Sequence, residues 1–297
     1  MSAIRAATRG SPLAIWQAEH IAGLLRRHDP DVDVELVIVD TQGDRRLDVP
    51  IWELGGKGVF AKEVQAAVLD GRADFAVHSA KDLPSVAVPG LVIACVPERA
   101  DPRDALVGST LADLPEGAEV ATGSLRRQAQ LATVRPDLRF VGLRGNMATR
   151  LAKAAEHDAI VVAAAAFDRL GWEDQITERL PTDVVLPQVA QAALAVECRA
   201  DDDPLLERLG RIEHEPSRRC VDAERAFLAE LGGDCSLPAA CYATVTDEGH
   251  LQVEGRLLSV DGQTVLREVR TGQTASTGTE VARHLLDNGG RQLLNNA

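Results

Sequence analysis

Lysine is nearly missing from this chain: four residues, at positions 57, 62, 81 and 153, carry all of it, and the other basic side chains are arginine. A formal net charge of −13 excludes a nucleic-acid binder that relies on overall positive potential. No apolar run approaches the roughly 20 residues needed to span a bilayer, so no membrane partner is expected. The opening MSAIRAATRGSP lacks the basic and then apolar segments of a secretory signal, which makes the cytoplasm the expected compartment. Cysteine is sparse and badly spaced for metal. The five residues Cys95, Cys198, Cys220, Cys235 and Cys241 form no CxxC or related pattern, so reduced thiols and no metal site are expected. A phosphate loop is missing as well: Lys57 follows glycines, but Gly58 stands where a Walker motif needs Ser or Thr.

What is present is ample core material, 45% apolar over 297 residues, enough for two or three domains. Residues 3–8 (AIRAAT) read as a strand. Ser11 and Pro12 then serve as N-cap and first residue of an amphipathic helix to about His28, with Ile15, Ala18, Ala22 and Leu25 on its buried face. The β-branched run 32–40 gives a second strand, and a glycine-rich stretch without a clear period, TQGDRRLDVPIWELGGKG, reads as a lid or a disordered insert. A helix from about Val59 to Leu69 leads into VHSAKDLP, residues 77–84. There an apolar strand ends in charge, and Pro84 keeps Leu83 out of helix, so Lys81 and Asp82 fall in a bend at the strand's carboxyl end. In open α/β sheets that edge binds ligands, although a Lys-Asp turn can equally be a solvated one.

LVIACV (91–96) is followed by the charged segment PERADPRDA, which reads as a crossing into a second domain where strands and helices alternate again. ATRGS at 7–11 and ATGSLRR at 121–127 echo each other, each a strand end turning through Gly and Ser into a helix, which suggests two similar lobes. A strand over 159–165 precedes Arg169, and LPQVAQAALAVECR (186–199) is apolar enough to return to a core. From Ser217 an N-capped helix closes at Gly232 and Gly233, then three alternating segments and a last helix make a small α+β domain with Cys235 just past its first helix. The expected division is 1–97 with 192–212, then 98–191, then 213–297.

Arginines recur at helix starts. Arg126 and Arg127 occupy the first turn after the Ser124 cap, where the helix dipole disfavours cations, so something negative should compensate them. Arg144 precedes the Asn146 cap, Arg150 lies a turn further on, Arg9 precedes the Ser11 cap, and Arg169 follows a strand. One such placement is as well explained by a surface ion pair. Together they point to a ligand with several negative groups held between two lobes. A periplasmic-type binding module would close on such an anion, whereas an enzyme would add a reactive group; Asp82 and Cys235 favour the enzyme.

With HSAKDLP, SLRRQ, LRGN and a glycine-flanked cysteine in view, together with ATRGSP, GGKGVFAKE, DPRDA and VECR in the same order, the chain resembles the porphobilinogen deaminases, also called hydroxymethylbilane synthases. The resemblance runs nearly end to end. It implies an α/β fold of two lobes like those of periplasmic binding proteins plus a small C-terminal α+β domain, acting as a monomer. It implies a transferase of tetrapyrrole biosynthesis that condenses four porphobilinogen molecules head to tail, with loss of ammonia, on a dipyrromethane cofactor bound through a cysteine thioether. Each pyrrole brings an acetate and a propionate, which gives the arginines a purpose. By the same resemblance Asp82 takes the catalytic place and Cys235 the attachment site. Arg9, Ser11, Lys81, Ser124, Arg126, Arg127, Arg144, Arg150, Arg169 and Gln191 take places that hold cofactor or substrate, and Asp44 and Lys57 belong to the lid. The chain departs from the pattern in two places. Asp234 replaces a glycine before the cysteine, and Ala190, Ala192 and Ala195 replace glycines in VAQAALAVECR, where positive φ would cost alanine roughly 1 to 2 kcal/mol.

Overall fold

Ser11 and Pro12 do start the first helix, and the elements follow from there in a computed structural model that describes residues 3–41, 58, 61–232 and 237–295. The first lobe holds β1 (Ile4–Arg9), α1 (Pro12–His28), β2 (Val34–Val39), α2 (Lys62–Leu69), β3 (Phe75–Ser79) and β4 (Leu91–Cys95). In the second are β5 (Asp104–Val107), β6 (Glu119–Ala121), α3 (Leu125–Val134), β7 (Arg139–Val141), α4 (Met147–Ala152), β8 (Ala159–Ala163), α5 (Ala164–Arg169) and β9 (Glu178–Arg179). The chain continues through β10 (Leu194–Arg199), α6 (Asp203–Gly210), α7 (Glu215–Glu230), β11 (Ala239–Val245), β12 (Leu251–Leu258), β13 (Val265–Gly272), α8 (Ser276–Leu285) and α9 (Arg291–Asn295). Residues 1–100 with 193–218 form one compact unit, and 101–192 with 219–297 the other.

The two five-stranded sheets share one topology. Their orders are β2-β1-β3-β10-β4 and β7-β6-β8-β5-β9, each with three parallel strands followed by one antiparallel strand and its antiparallel neighbour. The echoed segments end β1 and β6, which occupy the same position in the two sheets, and Ser11 and Ser124 cap the helices that follow. Parallel strands send their carboxyl ends to one edge. The loops after β1 and β3 therefore share an edge in the first sheet, as do those after β6, β7 and β8 in the second. Antiparallel β5 starts at that edge, with Asp104 opposite Ala163, and β10 starts with Leu194 opposite Ser79.

Both sheets are covered on two faces, so their strands read as continuous apolar runs. In the first, Ala18, Ile21 and Leu25 of α1 pack with Phe75, Val77, Val196 and Cys198, while Val64, Ala67 and Val68 of α2 pack with Ala7 and Ala76 on the other face. Ile15 sits at the margin of the buried stripe, which runs instead through Ala14, Gln17, Ala18, Ile21, Ala22 and Leu25.

Two sequence expectations shift. The strand through 165 stops at Ala163, because the β-branched residues end at Val162 and the alanines after it are strong helix formers; Arg169 thus closes a helix instead of following a strand. Ser217 is not an N-cap, since α7 begins at Glu215. The His214 ring takes the capping place, its Nδ1 within 3.4 Å of the Ser217 amide and 2.8 Å from the Ser217 hydroxyl.

Candidate functional site

The first unit presents its polar groups at the end of β3. Ala80–Asp82 make a single 3₁₀ turn, and Leu83 beyond it is extended (φ −73°, ψ 142°), the conformation that the following proline favours. The turn is anchored at both ends: the Ala80 amide donates to the Ala193 carbonyl (3.0 Å), and the buried Leu83 donates to Ala80 (3.3 Å). Lys81 and Asp82, between these anchors, stay half-buried. Asp82, Ser79, His78, Arg9 and Gln17 line one small cavity. Gln17 donates to the Ser79 hydroxyl (2.9 Å), and Ser11, bound to the Ala14 amide (3.3 Å), fixes the turn that carries Arg9.

Beneath this edge lies a polar group that the sequence reading did not single out. Glu197 of β10 is 4% exposed, accepts a hydrogen bond from Gln65 of α2 (2.8 Å) and lies 3.1 Å from Nε2 of His78. Its signal in the sequence is a glutamate inside an apolar strand, LAVECR.

In the second unit Ser124 caps α3 through the Arg127 amide (3.4 Å), and Asn146 caps α4 through the Thr149 amide (2.9 Å). The loops after β6 and β7 touch: a Cβ at Gly123 would lie 2.8 Å from the Leu143 carbonyl oxygen. The negative charge demanded at the start of α3 comes from the chain itself. Asp104, fully buried, takes Nη1 of Arg126 at 2.7 Å and Nε and Nη2 of Arg127 at 2.9 and 2.7 Å. Arg126 also donates to the Leu186 carbonyl (2.7 Å), and Arg127 to that of Val161 (3.0 Å). Gln191 donates to Asp104 (2.9 Å) and to the Pro102 carbonyl (2.7 Å). Burial alone would raise the Asp104 carboxyl, but Arg126, Arg127 and the hydrogen bonds from Arg126 and Gln191 outweigh it and hold it well below the usual carboxylate range.

Asp104 thus ties both guanidiniums of the first turn of α3 to the start of β5. Arg169 donates to the Ala192 carbonyl (2.7 Å), and burial, opposed by the neighbouring Asp168, pulls its pKa down to about 10, still far above neutrality. Arg150 donates to the Gly145 carbonyl (2.8 Å), and Arg144 stands half-buried at the mouth of the same loop. The structure thus gathers Arg9, Ser11, Lys81 and Asp82 at one sheet edge, and Ser124, Arg126, Arg127, Arg144, Arg150, Arg169 and Gln191 at the equivalent edge of the other unit. Asp44, Lys57 and Cys235 lie outside the described residues. Asp104, which the sequence reading passed over, was visible only as a charged residue opening the apolar strand DALV.

Residues 4–207 match the family described as porphobilinogen deaminase, dipyrromethane cofactor binding domain, and residues 218–287 match the porphobilinogen deaminase C-terminal domain. The chain belongs to the porphobilinogen deaminase family. It is 46% identical over 302 aligned positions to the porphobilinogen deaminase of Syntrophomonas wolfei, covering 99% of this chain and 98% of that one. With the porphobilinogen deaminase of Nitratidesulfovibrio vulgaris it shares 47% identity, over 95% and 90% of the two chains. Among solved structures, a methionine-bound nutrient binding protein from Burkholderia cenocepacia overlays on 73% of this chain and 93% of its own, with 14% identity and a TM-score of 0.43.

As a porphobilinogen deaminase the chain is a transferase, a hydroxymethylbilane synthase of porphyrin and haem biosynthesis, and its cofactor is dipyrromethane. The residues present fit that group in kind: Arg126, Arg127, Arg144, Arg150 and Arg169 lie at one sheet edge, and guanidinium groups suit the carboxylates that each pyrrole carries. The four described cysteines do not suit thioether formation. Cys95, Cys198, Cys220 and Cys241 are all buried, and burial, helped by Glu213 and Asp202 respectively, pushes the Cys95 thiol far up and that of Cys198 to about 11. No described helix is long and apolar enough to cross a membrane, and the described residues contain no cluster suited to a metal ion.

Proposed function

We propose that this porphobilinogen deaminase joins four porphobilinogen molecules head to tail into hydroxymethylbilane, with Asp82 as the catalytic carboxylate and Cys235 as the thioether anchor of the cofactor, and that it works as a monomer in the cytoplasm. The observation that carries this reading is the anchored turn at the end of β3, which holds Asp82 at the ligand edge in one cavity with Arg9 and Ser79. When bound, the dipyrromethane supplies the nucleophilic pyrrole carbon to which the first substrate is joined.

The chain's own residues do the rest. Loss of ammonia from the aminomethyl group of porphobilinogen leaves a cationic azafulvene. Asp82, accepting a hydrogen bond from the pyrrole N–H, stabilises the positive charge as it develops and again as the next ring attacks. Arg9, Lys81 and Ser11 hold acetate and propionate groups of the reacting ring. Arg126, Arg127, Arg144, Arg150 and Arg169 hold those of the cofactor and of rings already joined, with Ser124 and Gln191 fixing the first two arginines. Asp44 and Lys57 remain assigned to the lid.

Steady-state kinetics on cofactor-loaded enzyme test the reading. Asp82→Asn should fold and bind porphobilinogen, while kcat falls roughly 100-fold or more, the usual loss for a group that stabilises developing charge. Asp82→Glu, which keeps the charge at a displaced position, should retain more activity than Asp82→Asn. Wild-type kcat in Asp82→Asn would remove Asp82 from the chemistry and leave the turn a solvated one.

A further inference from the structure

Among the described residues, only Ala190 and Ala192 adopt positive φ without being glycine, at 57° and 69°. Ala190 is the third residue of a turn closed by the Gln191 amide on the Gln188 carbonyl (2.9 Å), a place where positive φ ordinarily calls for glycine. An alanine side chain disfavours that backbone by roughly tenfold or more, so the turn needs an external hold. Glu224 of α7 supplies one. It is fully buried, and one carboxylate oxygen accepts from the Ala190 amide at 2.6 Å while the other accepts from the Ala243 amide of β11 at 2.9 Å. Charge-assisted bonds of this length are the strong ones.

What the turn delivers is Gln191, wholly buried, whose amide nitrogen reaches Asp104 and Pro102. Asp104 in turn holds Arg126 and Arg127. We propose that Glu224 is a positioning residue: its carboxylate keeps Ala190 left-handed, and so places Gln191 and orients the arginine pair toward the ligand's carboxylates. In a turn with glycine at this position the hold would be dispensable; here the alanine makes it necessary. The step from the arginine pair to substrate rests on the proposed function, but the hold on the turn does not.

Hydrogen exchange at the Gln191 amide reads the turn directly, in wild type, Glu224→Ala, Ala190→Gly and the double variant. Exchange should accelerate about tenfold or more in Glu224→Ala, the loss expected for a hydrogen bond to a charged group, and stay near the wild-type rate when Ala190→Gly is added. In the same set, KM for porphobilinogen should rise about tenfold in Glu224→Ala with kcat nearly unchanged, and fall back in the double variant, as expected for an interaction that binds without entering the chemical step. If Glu224→Ala does not fold, Glu224→Gln, which loses the charge but keeps one acceptor, should show the same order among the variants. Exchange that rises equally in both backgrounds, or in neither, overturns the proposal, and so does a KM that Ala190→Gly fails to restore. An enzyme that never turns over porphobilinogen would refute the catalytic reading instead, and the exchange comparison would still decide the role of Glu224.

Discussion

Ala192 and Ala195 lie in one short segment with opposite backbone demands. Ala192 sits at φ 69°, where alanine is strained by roughly 1 to 2 kcal/mol, and glycine gives back only about 0.4 to 1 kcal/mol through the unfolded chain. Ala195 lies within β10, fully buried, where glycine loses a methyl and adds backbone freedom to be lost on folding. Denaturant unfolding should therefore show Ala192→Gly stabilised by about 0.5 kcal/mol and Ala195→Gly destabilised by about 1 kcal/mol. The departure from a glycine pattern was legible in the sequence; which alanines bear the strain was not, because φ at each position is set by the crossing into β10. Asp104 has a larger stake. Its carboxyl titrates lower in the folded chain than in the unfolded one, so its stabilisation is complete above the unfolded pKa of about 3.9 and is lost as pH falls toward the folded value. Asp104→Asn leaves two buried guanidiniums without their carboxylate and should cost about 3 kcal/mol at pH 7, with a smaller loss of stability between pH 4 and pH 2 than in wild type, measured by urea unfolding across that range.

At the scale of elements, α3 works at both ends. Its first turn carries Arg126 and Arg127, and its last two turns receive the β12–β13 hairpin, where the Thr133 hydroxyl donates to the Gly262 carbonyl (3.0 Å). Gly262 has φ 72°, and a Cβ there would lie 2.6 Å from the Ala129 carbonyl oxygen and 2.7 Å from the Thr133 amide. Both are helix backbone and cannot yield. Arg256 of β12 adds a second tie, reaching Gln130 (3.2 Å) and the Asp183 carbonyl (3.0 Å). Gly262→Ala should lower stability by about 2 kcal/mol, combining backbone strain with a loosened contact, and a thermal melt should show a lower Tm for it than for a substitution at the exposed Gly249 turn. The helix starts at Ser11, Ser124 and Asn146 could be read from the sequence because capping is local. The buried partners could not: Glu197 with Gln65 and Glu224 with Ala190 pair residues 132 and 34 positions apart, and no local pattern encodes that.

Over the whole molecule, the paired echoes at 7–11 and 121–127 carried the architecture, since they mark the same strand in two sheets of one topology. The chain's net charge of −13 hides a local pattern: Arg9, Arg126, Arg127 and Arg144 sit at or just past the ends of parallel strands, and charges at contact distance are screened less than distant ones. One unit bears Asp82 and the other Arg126, Arg127, Arg144, Arg150 and Arg169, so the proposed function assigns its chemical group and its carboxylate-binding residues to separate parts of the chain. The attachment of the cofactor through Cys235 is the central claim of the proposed function. Intact mass spectrometry of the protein expressed with porphobilinogen available tests it most directly. The account predicts a chain heavier than its sequence by two deaminated pyrrole units, with the increment gone in Cys235→Ser and retained when Cys95 or Cys241 is replaced by Ser; a wild-type chain at its bare sequence mass, or an adduct that survives Cys235→Ser, would contradict it.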